Sequence, residues 1–407
     1  MNILMIFAGM VENLPPLLTA ASSLAAQGER VTIAAAGCSA LTKSFLGERG
    51  VTVATCNLED LPASKPGKAF FVARFIRFSR AAIARIEPDV VWYHGRHSMR
   101  YAWFCSGARR RLLVAHAHEM DSPTSIDGRL QQAILRRAGM VIVPEVNRAW
   151  MMKMRSRSRA PFVVIPNRLP EYALPDGANT DEARSAFLAA GGSAECRDFV
   201  IYQGRMHLDR CVAEALEGFR QLGRADWGFI VMCNEEDRTV ALRSRYREDR
   251  RIVFLPRVEP PHHLRITRGC RLGVLLYAPT NLNNVYCAPN KVFEYAYFGL
   301  GMIFPDYPGL RSLEREFSLG EVCNPLDPVS IASALSRAMS TPREHYERAC
   351  ARFLRTIPDP LHAYAQLAEI LRAQRLRGGA GTAAAPGRVL DLGRYCGETP
   401  SEVSLAQ

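Results

Sequence analysis

The order of apolar runs and amphipathic segments along the chain predicts its secondary structure. In the first half, helix-like segments at 69–86 and 128–138 alternate with short apolar runs such as ILMIFAG, DVVWYHG and GMVIVPE. The pattern then restarts with FVIYQG and continues through WGFIVMC, RIVFLP, RLGVLLY and GMIFP. Alternation of this kind predicts α/β domains in which helices cover both faces of a parallel sheet.

Changes in composition set the domain boundaries. Residues 169–198 are rich in Pro, Gly and acidic side chains, which predicts a linker between an N-terminal domain over 1–168 and a second domain over 199–341. We expect a helical segment over 342–375 that packs back towards the N-terminal domain. The tail over 376–407 begins rich in Gly and Ala, and we expect it to be loosely ordered.

Hydropathy and cysteine usage narrow the class of protein. No apolar run approaches the roughly 18 residues that a membrane span needs. The opening MNILMIFAG lacks a basic n-region and a small-residue cleavage site, so it predicts a first strand rather than a signal peptide. The eleven cysteines are scattered without a CxxC pair, which predicts reduced thiols in the cytoplasm and neither a zinc site nor a disulfide framework.

The segment NNVYCAPNKVFEYAYFGLGMIF carries the clearest local chemistry. Pro289 suits the first helical position, and the residue before it has no side chain that can cap a helix. The free N–H groups of Asn290 and Lys291, with the lysine charge, therefore favour a phosphate. Glu294 lies one turn further on and could accept hydrogen bonds from ribose hydroxyls, and Gly299 ends the helix. The alternative is an ordinary amphipathic helix with a surface Lys–Glu pair.

Several segments in the same order resemble a known family. They are AHAHE, VIPNRLP, YQGRM and APNKVFEY, and together they are similar to bacterial GT-B glycosyltransferases of the retaining family 4 type, over about residues 1–340. The resemblance implies two Rossmann-like, doubly wound domains that face a central cleft. It also implies a nucleotide-diphosphate sugar as co-substrate in the second domain, an acceptor in the first, retention of configuration, and no metal or other cofactor.

The family's donor site maps onto the second domain. Gly204 and Arg205 match the glycine loop where the backbone approaches the donor pyrophosphate. Arg205 or Arg210 would neutralise the charge on the leaving diphosphate, since a guanidinium binds phosphate through two hydrogen bonds. Lys291 would add a second cation, and Glu294 would hold the ribose.

One position departs from the family pattern. Many members have two glutamates spaced E-x7-E, and the first of these is Tyr286 here. Asn283, Asn284 or Tyr286 would then contact the donor sugar, with Asn290 at the helix start. The departure leaves the identity of the sugar open.

Histidines mark the corresponding part of the first domain. The family has a histidine near the end of an apolar strand that contacts the donor sugar, which makes His118 and Glu119 of LLVAHAHEMDS the candidate catalytic residues. Alternation places His116 on the same face as His118. No third ligand with a recognisable spacing follows, so no metal site is expected. His94 and Gly9, each at a strand end, would line the cleft.

The net charge of +12 lies entirely in the first half of the chain. Residues 1–170 contain 23 Lys and Arg against 11 Asp and Glu, whereas the remainder contains 29 of each sign. Such asymmetry indicates an anionic partner.

The helix predicted over 69–86 would present part of this positive charge on one of its faces. Arg74, Arg77 and Arg80 share one arc of this helix, opposite its apolar arc, and Phe78 lies beside the arginines. We therefore expect a peripheral enzyme at the inner, anionic face of the cell membrane, acting on a lipid-linked or polysaccharide acceptor. A solvated helix face is the alternative.

Three other functions fit parts of the pattern. A sugar-nucleotide epimerase would share the two-domain architecture, but it needs more carboxylates in the cleft than the sequence offers. A nucleic-acid-binding protein would use the basic half, but no helix-turn-helix, RRM or zinc-finger signature supports it, so no nucleic acid partner is expected. A catalytically degenerate GT-B scaffold would explain Tyr286. Nothing in the sequence indicates an oligomeric state.

Overall fold

The chain divides into two compact units. The computed structural model describes residues 1–58, 64–105, 111–122, 124–169, 181–376, 388–392 and 401–402. The first unit comprises Met1–Pro170 with Pro358–Gln407, and the second comprises Glu171–Ile357.

The strands of the described residues include every predicted apolar run and several short strands that were not predicted. They are β1 (Asn2–Met10), β2 (Arg30–Gly37), β3 (Thr52–Thr55), β4 (Val90–His94), β5 (Leu112–His116), β6 (Met140–Val143), β7 (Phe162–Val164), β8 (Asp198–Gly204), β9 (Trp227–Cys233), β10 (Ile252–Pro256), β11 (Leu272–Val274), β12 (Gly301–Pro305), β13 (Gly320–Cys323), β14 (Val389–Asp391) and β15 (Ser401–Glu402).

Helices fill most of the connections between these strands. They are α1 (Pro15–Ala26), α2 (Ala40–Gly47), α3 (Lys65–Ile86), α4 (Gly95–Cys105), α5 (Ile126–Arg137), α6 (Val146–Ser156), α7 (Glu182–Ala189), α8 (Val212–Gln221), α9 (Asp237–Arg245), α10 (Leu264–Arg268), α11 (Leu282–Val285), α12 (Asn290–Tyr297), α13 (Pro308–Phe317), α14 (Pro328–Ser340), α15 (Arg343–Thr356) and α16 (Pro360–Leu376). No helix of the described ranges combines the length and apolar composition that crossing a membrane requires.

The first unit is built on one sheet in the order β15-β14-β7-β6-β5-β4-β1-β2-β3. Its pairings are parallel, apart from that of β14 with the short β15. Leu4 and Ile6 of β1 belong to one core and Ile3 and Met5 to the other, because successive side chains point to opposite faces. The sheet is therefore buried on both sides.

The second unit repeats this plan in the parallel order β10-β9-β8-β11-β12-β13. Val200 and Tyr202 of β8 contribute to one core, and Phe199 and Ile201 to the other. Two doubly wound α/β units confirm the predicted fold class. In each sheet the strand order reverses beside the first strand, between β1 and β4 and between β8 and β11. Ligands of such sheets bind at the carboxyl ends of strands at this reversal.

Local boundaries differ from the predictions at two places. Helix α12 begins at Asn290, and Pro289 is its N-cap, with φ −75° and ψ 135°. The prediction that Pro289 is the first helical residue is therefore wrong by one position, because its ψ is extended rather than helical. The segment predicted to be helical over 342–375 consists of two helices, and only α16 belongs to the first unit, whereas α15 belongs to the second.

The described part of the predicted tail contributes to the first sheet. Strand β14 pairs with β7 in parallel, with Val389 opposite Phe162. The remaining tail positions, at 377–387, 393–400 and 403–407, lie outside the described residues.

Candidate functional site

The carboxyl end of β8 meets the start of α12 at Gly204. This glycine has φ +140°, which side-chain-bearing residues rarely adopt. A Cβ atom built on it would lie 3.2 Å from Lys291 Nζ and 3.3 Å from Lys291 Cε. The glycine therefore allows the lysine side chain to lie directly against the backbone of the loop that follows the strand.

Helix α12 begins without a side-chain cap, as the sequence predicts. Its N-terminus therefore keeps the partial positive charge of unpaired N–H groups, and Lys291 adds a full charge in the first turn. Burial lowers the pKa of Lys291, the Glu294 carboxylate opposes that effect, and Arg210 adds to it. Lys291 thus interacts electrostatically with both Glu294 and Arg210.

A buried hydrogen-bond network fixes Glu294. Its side chain is only 6% exposed. Gln203 Nε2 donates a hydrogen bond of 2.5 Å to Glu294 Oε2, and His263 Nε2 lies 3.4 Å from the same oxygen. Thr267 Oγ1 in turn donates a hydrogen bond of 2.6 Å to Gln203 Oε1. The carboxylate of Glu294 is therefore held by groups from two other segments of the second unit, the end of β8 and the start of α10.

Electrostatics keep this carboxylate charged. Burial alone would raise the pKa of Glu294, but the charge and hydrogen bond of His263, the Lys291 ammonium and the Gln203 amide together lower it. Glu294 is therefore an anion at neutral pH, and it can accept hydrogen bonds but not donate them.

Arg210 lies on a short loop that is held in place by an aromatic ring and by hydrogen bonds. Its guanidinium carbon lies 4.5 Å from the centre of the Tyr277 ring. The neighbouring Asp209 accepts a hydrogen bond of 3.1 Å from Asn284 Nδ2, which also donates to the carbonyl of Ala278 at 2.8 Å. Asn284 is buried, so its amide holds the loop that carries Arg210.

The remaining predicted donor residues lie around this group. Arg205 is exposed, and its carbonyl accepts a hydrogen bond of 2.5 Å from the Tyr202 hydroxyl. Tyr286 and Asn290 are half-buried at the end of α11 and the start of α12. A depression of about 660 Å³ opens beside the loop, lined by Met206, His207, Leu208, Asp209, Arg210 and Arg238.

Three residues of the network were missed by the sequence analysis: Gln203, His263 and Thr267. One signal was available, because Gln203 is a polar residue inside the apolar run FVIYQG and a buried amide needs partners. His263 has no comparable signal, since it precedes α10 in a loop.

In the first unit, the ends of β4 and β5 bring three histidines together. His94 pairs with His116 in the parallel register, and their ring centres are 4.8 Å apart. The ring of His118 stacks on His116 at 4.0 Å, and His118 Nε2 lies 3.5 Å from His94 Nδ1. The expectation that His116 and His118 share a face is consistent with this contact. The third ring, that of His94, comes from the preceding strand β4 and not from a ligand motif that follows His118 in the sequence.

Burial keeps all three imidazoles neutral. It lowers the pKa of His94 and of His116 well below the usual value, and the neighbouring histidines add to this effect. Burial, and then the charge of Arg148, lower the pKa of His118 to about 3. Glu119 is exposed, whereas its backbone carbonyl accepts a hydrogen bond of 2.9 Å from Gln131 Nε2.

Gly9 lies at the carboxyl end of β1, beside β4. A Cβ atom on Gly9 would lie 2.9 Å from the ring of Phe7. The same ring would lie 3.9 Å from a Cβ atom on Gly95, the residue after His94. Gly9 is thus close to the strand end that carries the histidines.

The arginines of α3 form an exposed face. Arg74, Arg77 and Arg80 are exposed, while Phe78 is half-buried against the core, so that the phenylalanine belongs to the packing of the helix. Other large apolar side chains of the first unit are more exposed: Phe70 (62%), Trp103 (47%) and Phe104 (60%).

Comparisons with known proteins identify the architecture. No family model matches the chain, and no curated protein sequence matches it. A crystal structure of Anabaena HepE in complex with UDP and glucose is similar with a TM-score of 0.69 and 16% identity, over 92% of this chain and 100% of that one. The chain has the GT-B fold.

Two further structures show how broadly this fold is used. A glycosyltransferase from Rickettsia africae is similar with a TM-score of 0.64 and 12% identity, over 92% of this chain and 96% of that one. A putative UDP-N-acetylglucosamine 2-epimerase from Listeria monocytogenes has a TM-score of 0.64 and 10% identity over the same shares. Identities this low establish the fold and leave the reaction to be argued from the site.

Proposed function

We propose that this protein is a glycosyltransferase of the retaining family 4 type, which moves a hexosyl group from a nucleotide-diphosphate sugar to a lipid-linked or polysaccharide acceptor. One observation carries the proposal: the second unit combines an uncapped helix start, two cations and an anchored, ionised carboxylate at the strand-order reversal. The helix start and the two cations suit the phosphates of a nucleotide, and the carboxylate suits its ribose hydroxyls.

In the proposed reaction, the bond between the sugar C1 and the diphosphate oxygen breaks through an oxocarbenium-like state. Negative charge then develops on the leaving diphosphate. Lys291 lies against Gly204, and Arg210 lies over the Tyr277 ring, close enough to lower the pKa of Lys291. Cations fixed in advance at the developing charge lower the barrier without further reorganisation, so this step needs no metal at the diphosphate.

Glu294 is assigned to the ribose. Gln203 and His263 both contact its Oε2 atom, and we assign the ribose hydroxyls to Oε1. Because the carboxylate is buried and fixed, it would select the nucleotide without moving. HepE was solved with UDP, which favours uridine as the base of the donor.

The first unit is assigned to the sugar and the acceptor. The resemblance gives His118 the contact to the donor sugar, with Glu119, His94 and Gly9 nearby. The neutral state of His118 supports a hydrogen bond to a sugar hydroxyl rather than proton donation by an imidazolium. The basic excess of residues 1–170, the α3 arginines and the exposed aromatic side chains support docking on an anionic membrane surface from the cytoplasmic side.

The test is thermal stabilisation by UDP, GDP, ADP and dTDP in the wild type and in Glu294→Ala. We expect one nucleotide, UDP first, to raise the melting temperature of the wild type and not that of the variant. Glu248→Ala removes a highly exposed glutamate of the same unit and should keep the full shift. Stabilisation by none of the four nucleotides, or an equal shift in Glu294→Ala, would contradict the proposal.

The similarity to the Listeria protein favours a second candidate, a sugar-nucleotide epimerase. The two reactions differ in their products. An epimerase would convert a UDP-sugar to its 2-epimer without an acceptor, whereas a transferase would release UDP when an acceptor is supplied. A catalytically degenerate GT-B scaffold would bind UDP and do neither. Chromatography of the nucleotide products separates the three.

A further inference from the structure

The histidine cluster of the first unit contains buried nitrogen atoms without partners. Among the described residues, His94 Nε2, His118 Nδ1 and both ring nitrogens of His116 have no hydrogen-bond partner. His94 is 0% and His116 1% exposed. Buried polar atoms are nearly always paired in folded proteins, and an unpaired cluster of this kind indicates a missing ligand.

The geometry of the cluster suits a small cation. One ligand atom from each of His94, His116 and His118 lies within 4.8 Å of the other two. In a tetrahedral zinc site with Zn–N bonds of roughly 2.0–2.1 Å, two ligand nitrogens are about 3.3–3.4 Å apart. The 3.5 Å between His118 Nε2 and His94 Nδ1 is close to that spacing. The other ligand pairs lie within 4.8 Å, so the ring of His116 would have to rotate to reach the same spacing.

We infer that His94, His116 and His118 form a binding site for a divalent transition-metal ion, with Zn²⁺ as the best match. Three imidazoles suit zinc, whereas calcium and magnesium prefer oxygen ligands. His118 is half-buried, whereas the other two are buried, so it is the most exposed of the three ligands.

The surroundings of the cluster support this assignment. The ring of Trp92 stacks on His94 at 5.4 Å and contacts His116 at 5.9 Å. Because His94 and His116 lie in paired strands, their positions are fixed before a metal arrives.

This inference concerns the first unit alone and does not depend on nucleotide binding in the second. The ion would link the carboxyl ends of β4 and β5 to the loop that follows β5. It would also engage the ring that the proposed function assigns to the donor sugar. Metal binding and sugar contact at His118 would therefore compete, so excess Zn²⁺ should inhibit transfer.

The test uses full-length protein without a histidine tag, since a tag would bind the same ions. After treatment with a chelator, Zn²⁺ is titrated by calorimetry, and Co²⁺ is followed by its visible absorption, which reports tetrahedral coordination. We expect one ion per chain. Loss of a ligand's hydrogen-bond partner alone weakens metal affinity about 10- to 100-fold, so His118→Ala should weaken it at least about tenfold.

His97→Ala is the matched control. His97 is a half-buried histidine of α4 outside the cluster, and its removal should leave the affinity unchanged. His118 is the most accessible ligand, so its variant should fold even where a change at His116 does not. Absence of saturable binding to the wild type, or equal affinity in His118→Ala, would overturn the inference. Zn²⁺ binding that UDP neither requires nor prevents would separate this site from the donor site.

Discussion

Both sheets carry buried polar groups at the carboxyl ends of their strands, but these groups differ in how far they are hydrogen-bonded. At the end of β8, Glu294 is charged and surrounded by donors, from Gln203 through His263 to Lys291. At the ends of β4 and β5, three neutral histidines face one another and leave four ring nitrogens unpaired among the described residues. The network is complete at the Glu294 carboxylate, which keeps its geometry without a ligand, although His263 Nδ1 has no partner among the described residues. The incomplete histidine cluster requires a ligand to satisfy it.

The largest effect is expected from the cation of the completed network. Lys291→Met removes the charge that lies against Gly204, and we expect the release of UDP from a UDP-sugar to slow by about 100- to 1,000-fold, as for loss of one group that stabilises a developing negative charge. Lys43→Met, at an exposed lysine of α2, is the control. Unchanged turnover in Lys291→Met would place the diphosphate elsewhere.

Gln203→Leu tests how much the hydrogen bonds of Gln203 to Glu294 and Thr267 contribute to stability. The change leaves Thr267 and Glu294 without the amide that joins them, so we expect the free energy of unfolding to fall by about 1–3 kcal/mol. Urea denaturation measures the change, with the exposed Gln221→Leu of α8 as the control. Equal stability of the two variants would show that Gln203 contributes little to holding Glu294.

The pH dependence of stability reports the charge on Glu294. Its pKa is lowered below the usual 4.5 in the folded state, so the unfolded chain binds more protons between the two values. The stabilisation is therefore fully present above about pH 4.5 and is lost as the pH falls through the folded pKa. Each unit by which the pKa is lowered corresponds to about 1.4 kcal/mol.

Glu294→Gln isolates this contribution, because the amide cannot titrate there. Between pH 7 and pH 3.5, the free energy of unfolding of the wild type should fall more steeply than that of the variant. Parallel curves for the two proteins would mean that folding does not lower the pKa of Glu294.

The smallest effect on stability is expected in the incomplete cluster. His116→Leu removes two unpaired nitrogens and keeps a similar volume, so the unfolding free energy of metal-free protein should change by no more than about 1 kcal/mol. The same denaturation assay applies, with chelator present. A loss as large as that in Gln203→Leu would show that His116 already has partners without a metal.

The sequence predicted local features better than it predicted contacts between distant segments. The apolar runs predicted most strands of both sheets, and the composition of one helix start led to Lys291 and Glu294. The contact between Lys291 and Gly204 could be expected only through the family resemblance. No local pattern could predict that His263 would reach Glu294 from another segment.

The third histidine illustrates the same limit. His94 lies beside His116 because β4 and β5 are paired in a parallel register. In the sequence, a third ligand was sought only downstream of His118, so a ligand on the preceding strand could not be found. The one-residue error at Pro289 has a smaller origin, since proline is compatible with both the N-cap and the first helical position.

The path of the chain through α16 has a consequence for biosynthesis. Tyr364, Leu367 and Leu371 of this helix belong to the core of the first unit, yet they are synthesised after the whole of the second. On the ribosome, residues 171–357 can complete their own sheet while the N-terminal sheet still lacks a covering helix and the strand β14. We therefore expect the second unit to mature first, and the N-terminal unit to need protection from aggregation until the last part of its core has emerged.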